Sequence, residues 1–178
     1  LGDASVAFLG PVANYGDDPN EGSLVVWVSY GETSFLFTGD MGFEAEDDML
    51  SAGVDVSATV LKVAHHGSAG SSSREFLAAV HPQYAVISVG ADNDYGHPTE
   101  AALQRLAETG AEIYRTDLLG EITAVSDGTS VTITTENAAH TDTSVQTAQT
   151  GDYVGNASSK VVHVASCGKL PGEENWVY

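Results

Sequence analysis

The stretch from Ala58 to Ser68 constrains this chain most. Ala58 to Ala64 is a short apolar run that reads as a buried strand. It ends abruptly at His65-His66, followed by Gly67 and a serine-rich turn from Ser68 to Ser73. Neutral imidazole is the commonest protein metal ligand and the side chain most easily tuned near neutral pH. Glycine directly behind the pair lets the backbone turn tightly and a ligand approach closely. The residues of this stretch alone equally allow a loop that happens to carry two histidines.

The flanking pattern supplies the fold class. Ser5 to Leu9, Ser23 to Tyr30, Thr33 to Thr38, Tyr84 to Val89 and Ala111 to Tyr114 read as strands, with Gly31-Glu32 as a two-residue hairpin turn. Helices are expected over Phe43–Leu50, Arg74–Val80 with Ser73 as N-cap, and Thr99–Thr109 between Pro98 and Gly110 with Thr99 as an N-cap candidate. Asp127-Gly128 joins a last hairpin, Glu121–Val125 with Ser130–Thr135. Strand–helix alternation bracketed by hairpins argues for an α/β layered domain with helices packed on one sheet face. The acidic run Glu44 to Asp48 reads as a solvated helix face. Glu136 to Thr150, rich in Thr, Ala and Gln, reads as a linker, and 151–178 as a small separate unit. The organisation is therefore 1–135, linker 136–150, and module 151–178. Both ends, Leu1-Gly2-Asp3 and Trp176-Val177-Tyr178, read as cut from something longer.

Charge narrows the partners. Residues 1–135 hold 20 acidic and 4 basic residues, a net of −16 within a total of −19. That balance argues against a basic groove tracking a nucleic-acid backbone, although bound cations can reverse the sign locally. It suits a saline, extracellular or cell-surface setting. The single cysteine, Cys167, excludes an intramolecular disulfide. No apolar run approaches the roughly twenty residues needed to span a bilayer.

Polar residues recur just after apolar strands: Asp40, His65-His66, the Asn93 to Pro98 loop with His97, and Thr116-Asp117. In α/β sheets ligands gather outside the carboxyl ends of strands, so Asp40 and His66 can share one site. A carboxylate with imidazoles suits zinc or manganese, and a carboxylate can bridge two ions.

The ordered set Phe35-Leu36-Phe37-Thr38-Gly39-Asp40, Leu61-Lys62-Val63-Ala64-His65-His66-Gly67-Ser68, Ile87-Ser88-Val89-Gly90, Asn93-Asp94-Tyr95-Gly96-His97-Pro98 and Arg115-Thr116-Asp117 with Gly120 resembles the metallo-β-lactamase-fold domain of competence-type DNA-internalisation proteins (ComEC). The resemblance runs from about Phe8 to Val125. It implies a four-layer αβ/βα sandwich with a dinuclear metal site, holding two divalent ions (zinc or manganese), at one sheet edge. Asp40 then matches the bridging aspartate and His66 the late metal histidine, with His65 the alternative. His65 and His97 take catalytic positions, and Asn20 and Ser68 substrate-binding ones.

One departure is large: the family's His-x-His-x-Asp-His motif is absent. The chain therefore resembles the C-terminal half of the fold, with too few ligands for a stable dinuclear site by itself. An upstream half, or a second copy, would cover the sheet face this leaves open. Residues 152–178, with Tyr153-Val154-Gly155-Asn156, Ser159-Lys160, His163 and Cys167, are similar to a small Ada-like module found after secreted bacterial hydrolases. His163 and Cys167 alone do not complete a zinc site, so a structural role is expected. The resemblance implies a bacterial metal-dependent hydrolase of phosphodiester or nucleic-acid-related substrates. Two other readings are a non-catalytic binding or assembly domain that keeps the fold, and a hydrolase of another phosphoryl or cyclic ester.

Overall fold

The computed structural model describes residues 2–137, and in the remainder only the strand residues 153–156, 161–164 and 176–177. The first unit, 1–140, is built on a six-stranded sheet. Its strands are β1 (Ser5–Gly10), β2 (Val25–Tyr30), β3 (Thr33–Phe37), β4 (Val60–Lys62), β5 (Tyr84–Ile87) and β6 (Glu112–Arg115), in spatial order β1-β2-β3-β4-β5-β6. β1, β2 and β3 run antiparallel, and β3 to β6 are parallel. Val28 pairs with Phe35 and Tyr30 with Thr33, so the Gly31-Glu32 hairpin forms in the expected register. Gly31 sits at φ +58°, the left-handed conformation that glycine adopts without steric cost.

Parallel strands need crossovers, and helices supply them. α1 (Phe43–Ser51) joins β3 to β4, α2 (Arg74–Val80) joins β4 to β5, and α3 (Glu100–Glu108) joins β5 to β6. The capping chemistry read from sequence is realised. Ser73 accepts from the Phe76 N–H and Thr99 from the Ala102 N–H, satisfying donors that a helix start leaves free. A short α4 (Thr116–Leu119) leads to the hairpin of β7 (Ile122–Ser126) and β8 (Val131–Thr135). Asp127 closes that hairpin by accepting from the Thr129 and Ser130 N–H groups, both at 2.8 Å. No helix among the described residues is long and apolar enough to cross a membrane.

The ladder register sorts the side chains into two faces. Leu36, Leu61 and Ala85 are direct partners and fully buried, and with Met49, Phe76, Leu77 and Leu106 they form the core beneath the helices. The adjacent row, Phe8, Val26, Phe37, Lys62, Val86 and Tyr114, lies on the opposite face. There Phe8 is 69% and Phe37 44% exposed, so this face is open toward β1.

Two readings need correction. The strand expected over Ala58–Ala64 pairs only over Val60–Lys62, because the chain turns into a left-handed bend at Ala64–Gly67. The acidic run Glu44–Asp48 is not a uniformly solvated face. Glu46 is fully buried, and its carboxylate accepts from the Ser72 N–H at 2.5 Å and the Ser73 N–H at 2.7 Å. Burial pushes its pKa up, against the pull of those N–H groups and of Arg105. Arg105 in turn donates to the carbonyls of Ala69, Ser71 and Ser72 and lies over the Phe43 ring. Glu46 and Arg105 thus tie the serine turn to α1 and α3.

The second unit, 141–178, contains β9 (Tyr153–Asn156), β10 (Val161–Val164) and β11 (Trp176–Val177), in the antiparallel order β10-β9-β11. His163 is a β10 residue paired with Val154. Cys167 and linker residues 138–150 lie outside the described residues.

Candidate metal centre

The parallel arrangement places the carboxyl ends of β3 to β6 on one rim, and the polar loops emerge there. Asp40 follows β3 on a turn whose Gly39 has φ +55°. The Asp40 N–H donates to the Ser23 hydroxyl at 3.0 Å, and the His65 N–H donates to the Gly39 carbonyl at 3.1 Å. The β3 and β4 exits are therefore stitched together by main chain. His65 (φ 46°), His66 (φ 55°) and Gly67 (φ 82°) make three consecutive left-handed residues, which swing both imidazoles out at the strand end.

Asp40 Oδ1 and His66 Nε2 lie 3.5 Å apart, with both side chains roughly half exposed. His66 Nδ1 is 2.6 Å from the Ser88 carbonyl oxygen. A carbonyl can only accept, so Nδ1 carries a proton and the ring leaves Nε2 facing Asp40. The gap is longer than the roughly 2.7–2.9 Å of a charge-assisted hydrogen bond. It matches two donors on one tetrahedral ion, which at bond lengths of about 2.0–2.2 Å stand about 3.4 Å apart. Asp40 and His66 therefore fit two positions around a metal ion. Among the described residues no group of three or more His, Cys, Asp or Glu could hold one.

His65 and His97 flank this pair. Their rings meet edge to face at 5.7 Å, and His65 stands 6.4 Å from His66. His97 is held by Asn93, whose amide donates to the Gly90 and His97 carbonyls and whose oxygen accepts from the His97 N–H at 2.9 Å. Among the described residues no partner reaches its buried Nδ1. Desolvation, with His65 and His66 nearby, pushes its pKa below the ordinary imidazole value, and Asp40 opposes this weakly. The Thr99 N–H and hydroxyl both donate to the Gly67 carbonyl, locking the His97 loop onto the left-handed bend.

The other expected site residues serve turns. Asn20 accepts from the Ser23 N–H through its carbonyl, and so presents Ser23 to Asp40. The Ser68 hydroxyl accepts from the Gly70 N–H. Thr116 is structural: its hydroxyl donates to the Val89 carbonyl at 2.8 Å, fixing the β5 exit against β6. Asp117 is paired with Arg115.

Three contributors escaped the sequence reading. The Ser88 carbonyl is main chain and leaves no signature in residue type. Tyr95 stacks on His97 from an otherwise exposed loop. Lys62 is the one charge in the apolar run before the histidines, and that anomaly was its signal. It is half buried, donates from Nζ to the Val63 carbonyl at 2.9 Å, and has its pKa lowered by desolvation against the pull of Asp40.

A mixed sheet with helices on one face, and a carboxylate–imidazole pair where parallel strands end, defines the class. Residues 2–91, just over half of the chain, match the Metallo-beta-lactamase superfamily, and the chain belongs to it. That superfamily generally binds divalent metals. Among relatives, ComE operon protein 3 of Bacillus subtilis is 40% identical over 114 residues, covering 64% of this chain and 15% of that protein. Competence protein ComA of Neisseria gonorrhoeae is 41% identical over 116 residues, covering 65% of this chain and 17% of that protein. Recombination protein 2 of Haemophilus influenzae is 34% identical over 103 residues, covering 58% and 13%. The chain thus spans less than a fifth of the length of these relatives, all of them bacterial.

Proposed function

We propose that this chain is part of a metal-dependent hydrolase of phosphodiester substrates, nucleic-acid strands among them. The observation that carries the reading is the Asp40 Oδ1–His66 Nε2 separation of 3.5 Å, with His66 Nδ1 tied to the Ser88 carbonyl. The names of the competence relatives support the substrate class.

Asp40 and His66 would hold divalent ions, zinc or manganese, with the remaining ligands supplied from outside the described residues, by an upstream half of the fold. That half also covers the open face bearing Phe8 and Phe37. Bound ions would supply Lewis acidity and neutralise charge developing on the phosphoryl oxygens. With its Nδ1 proton held by the Ser88 carbonyl, His66 would offer Nε2 to such an ion without reorganisation. His97, whose pKa burial lowers, and His65, edge-on to it, orient the substrate beside the leaving oxygen. Asn20 and Ser68 contact the substrate from the rim. The acidic balance supports an extracellular or cell-surface site of action.

A second reading, a binding or assembly domain that retains the fold, is favoured by one observation: the described residues do not complete a metal set. The two readings separate in the intact protein. With manganese or zinc, it should cleave a labelled single-stranded oligonucleotide. Asp40→Ala and His66→Ala should each lose bound metal and at least about 100-fold in rate, since removing even an outer-sphere partner costs 10–100-fold. Wild-type protein that binds neither metal nor strand, or an Asp40→Ala variant that cleaves at the wild-type rate, would sink the hydrolase reading.

A further inference from the structure

We infer that Tyr95 is a stacking platform for an unpaired base of the substrate strand; the inference rests on the phosphodiesterase reading above. Tyr95 is 83% exposed, yet its ring stacks on His97 at 5.9 Å with only 22° between the planes. One face is therefore supported and the other is presented to solvent. An exposed aromatic ring backed by an ordered neighbour is what a second flat ring needs to dock at low entropic cost. The support extends inward: His97 meets His65, and Asn93 pins both the Gly90 and His97 carbonyls around the loop. A line of rings thus leads from the Asp40–His66 pair to Tyr95. A strand whose phosphate sits at that pair can follow the line of rings and lay one of its bases on Tyr95.

Charge selects a base over a phosphate at this point. Asp92 and Asp94 precede Tyr95 in the same loop, and Lys and Arg total only six against 25 acidic residues. A groove that tracks the backbone by counterion release needs Lys and Arg, and this loop has none. Stacking needs no positive charge and tolerates any base sequence, because every base has a π-face. The platform therefore takes single strands or strand ends, whose bases are free to leave the helix stack, in preference to intact duplex.

The test uses the intact protein and two readouts. The first is binding of an uncharged methylphosphonate trinucleotide with 2-aminopurine at its centre, read as quenching of the purine emission without turnover. Wild-type protein should quench it, Tyr95→Trp and Tyr95→Phe should retain quenching, and Tyr95→Ala should bind about 5- to 150-fold more weakly. The second is metal-dependent cleavage of a single-stranded oligonucleotide against the same strand with abasic sites beside the cleaved bond. Wild-type protein should prefer the strand that carries bases, and Tyr95→Ala should reduce that preference to near unity. Equal quenching by wild type and Tyr95→Ala, or no quenching by wild type, overturns the inference. Tyr95-dependent quenching without cleavage of either strand overturns the hydrolase reading and leaves the platform standing.

Discussion

Gly67→Ala tests the locking of the His97 loop onto the histidine bend. Gly67 sits at φ +82°, and a Cβ added there would lie 2.6 Å from Pro98 Cβ and 3.1 Å from Pro98 Cα. Ordinary carbon contacts stand at about 3.5–4.0 Å, so something must move by roughly 1 Å. Pro98 cannot recoil freely, because Thr99 holds the Gly67 carbonyl through two hydrogen bonds, at 2.9 and 3.1 Å. Alanine in the left-handed region costs about 1–2 kcal/mol, and overpacking adds about 1–3 kcal/mol. Gly110→Ala is the control, since Gly110 has φ +78° with nothing among the described residues within 4 Å of an added Cβ. It should bear only the backbone cost. With a urea m-value of about 1–3 kcal/mol per molar, the two midpoints should differ by roughly 1 M. In the same variant, displacement of Pro98 by roughly 1 Å carries His97 away from His65 and should lower metal-dependent cleavage by about 100-fold. Urea unfolding curves give the first quantity and single-turnover cleavage the second. If Gly67→Ala and Gly110→Ala lose equal stability, to within about 0.5 kcal/mol, the packing argument is wrong.

Glu46→Ala leaves the buried Ser72 N–H and the partly buried Ser73 N–H without their acceptor, at about 1–3 kcal/mol for the buried one. Hydrogen exchange at the start of α2 should accelerate accordingly, and unchanged protection there would refute the tie. Because burial raises the Glu46 pKa, the folded state holds its proton more tightly than the unfolded one just above the ordinary value of 4.5. This group's contribution to stability therefore falls as pH rises through that window, and Glu46→Gln should abolish that slope in unfolding measured across acid pH. For His97 the sign is opposite. Its folded pKa lies below the ordinary imidazole value of 6.5, so the unfolded state binds more protons there and stability from this group is lost as pH falls below 6.5. An NMR titration of the His97 ring with a midpoint at or above 6.5 would contradict this.

Local chemistry decided what could be read from the chain. Ser73 and Thr99 each announce a helix start because their capping bonds are made within three residues, and both helices begin where those residues place them. The Gly31-Glu32 hairpin is legible for the same reason. Glu46 was not, because its burial depends on N–H groups 26 and 27 positions later in the chain. The strand before the histidines was overdrawn by apolarity alone: Val63 and Ala64 are buried as fully as Leu61, but in a turn. At the site, strand-end position was enough to bring Asp40, His65, His66 and His97 to one rim. The tautomer of His66 depends on a carbonyl from β5's exit, and no pattern of residue types encodes that.

The three left-handed residues at the histidine bend bear on any effort to harden this protein. His65 and His66 occupy a backbone region that non-glycine residues enter at a cost of about 1–2 kcal/mol each. Replacing either by glycine relieves that cost, so a screen for heat resistance is drawn first to the positions the proposed chemistry needs. Selection for thermal tolerance and selection for turnover then pull the same two codons in opposite directions, and variants that survive both should carry their stabilising changes away from this bend.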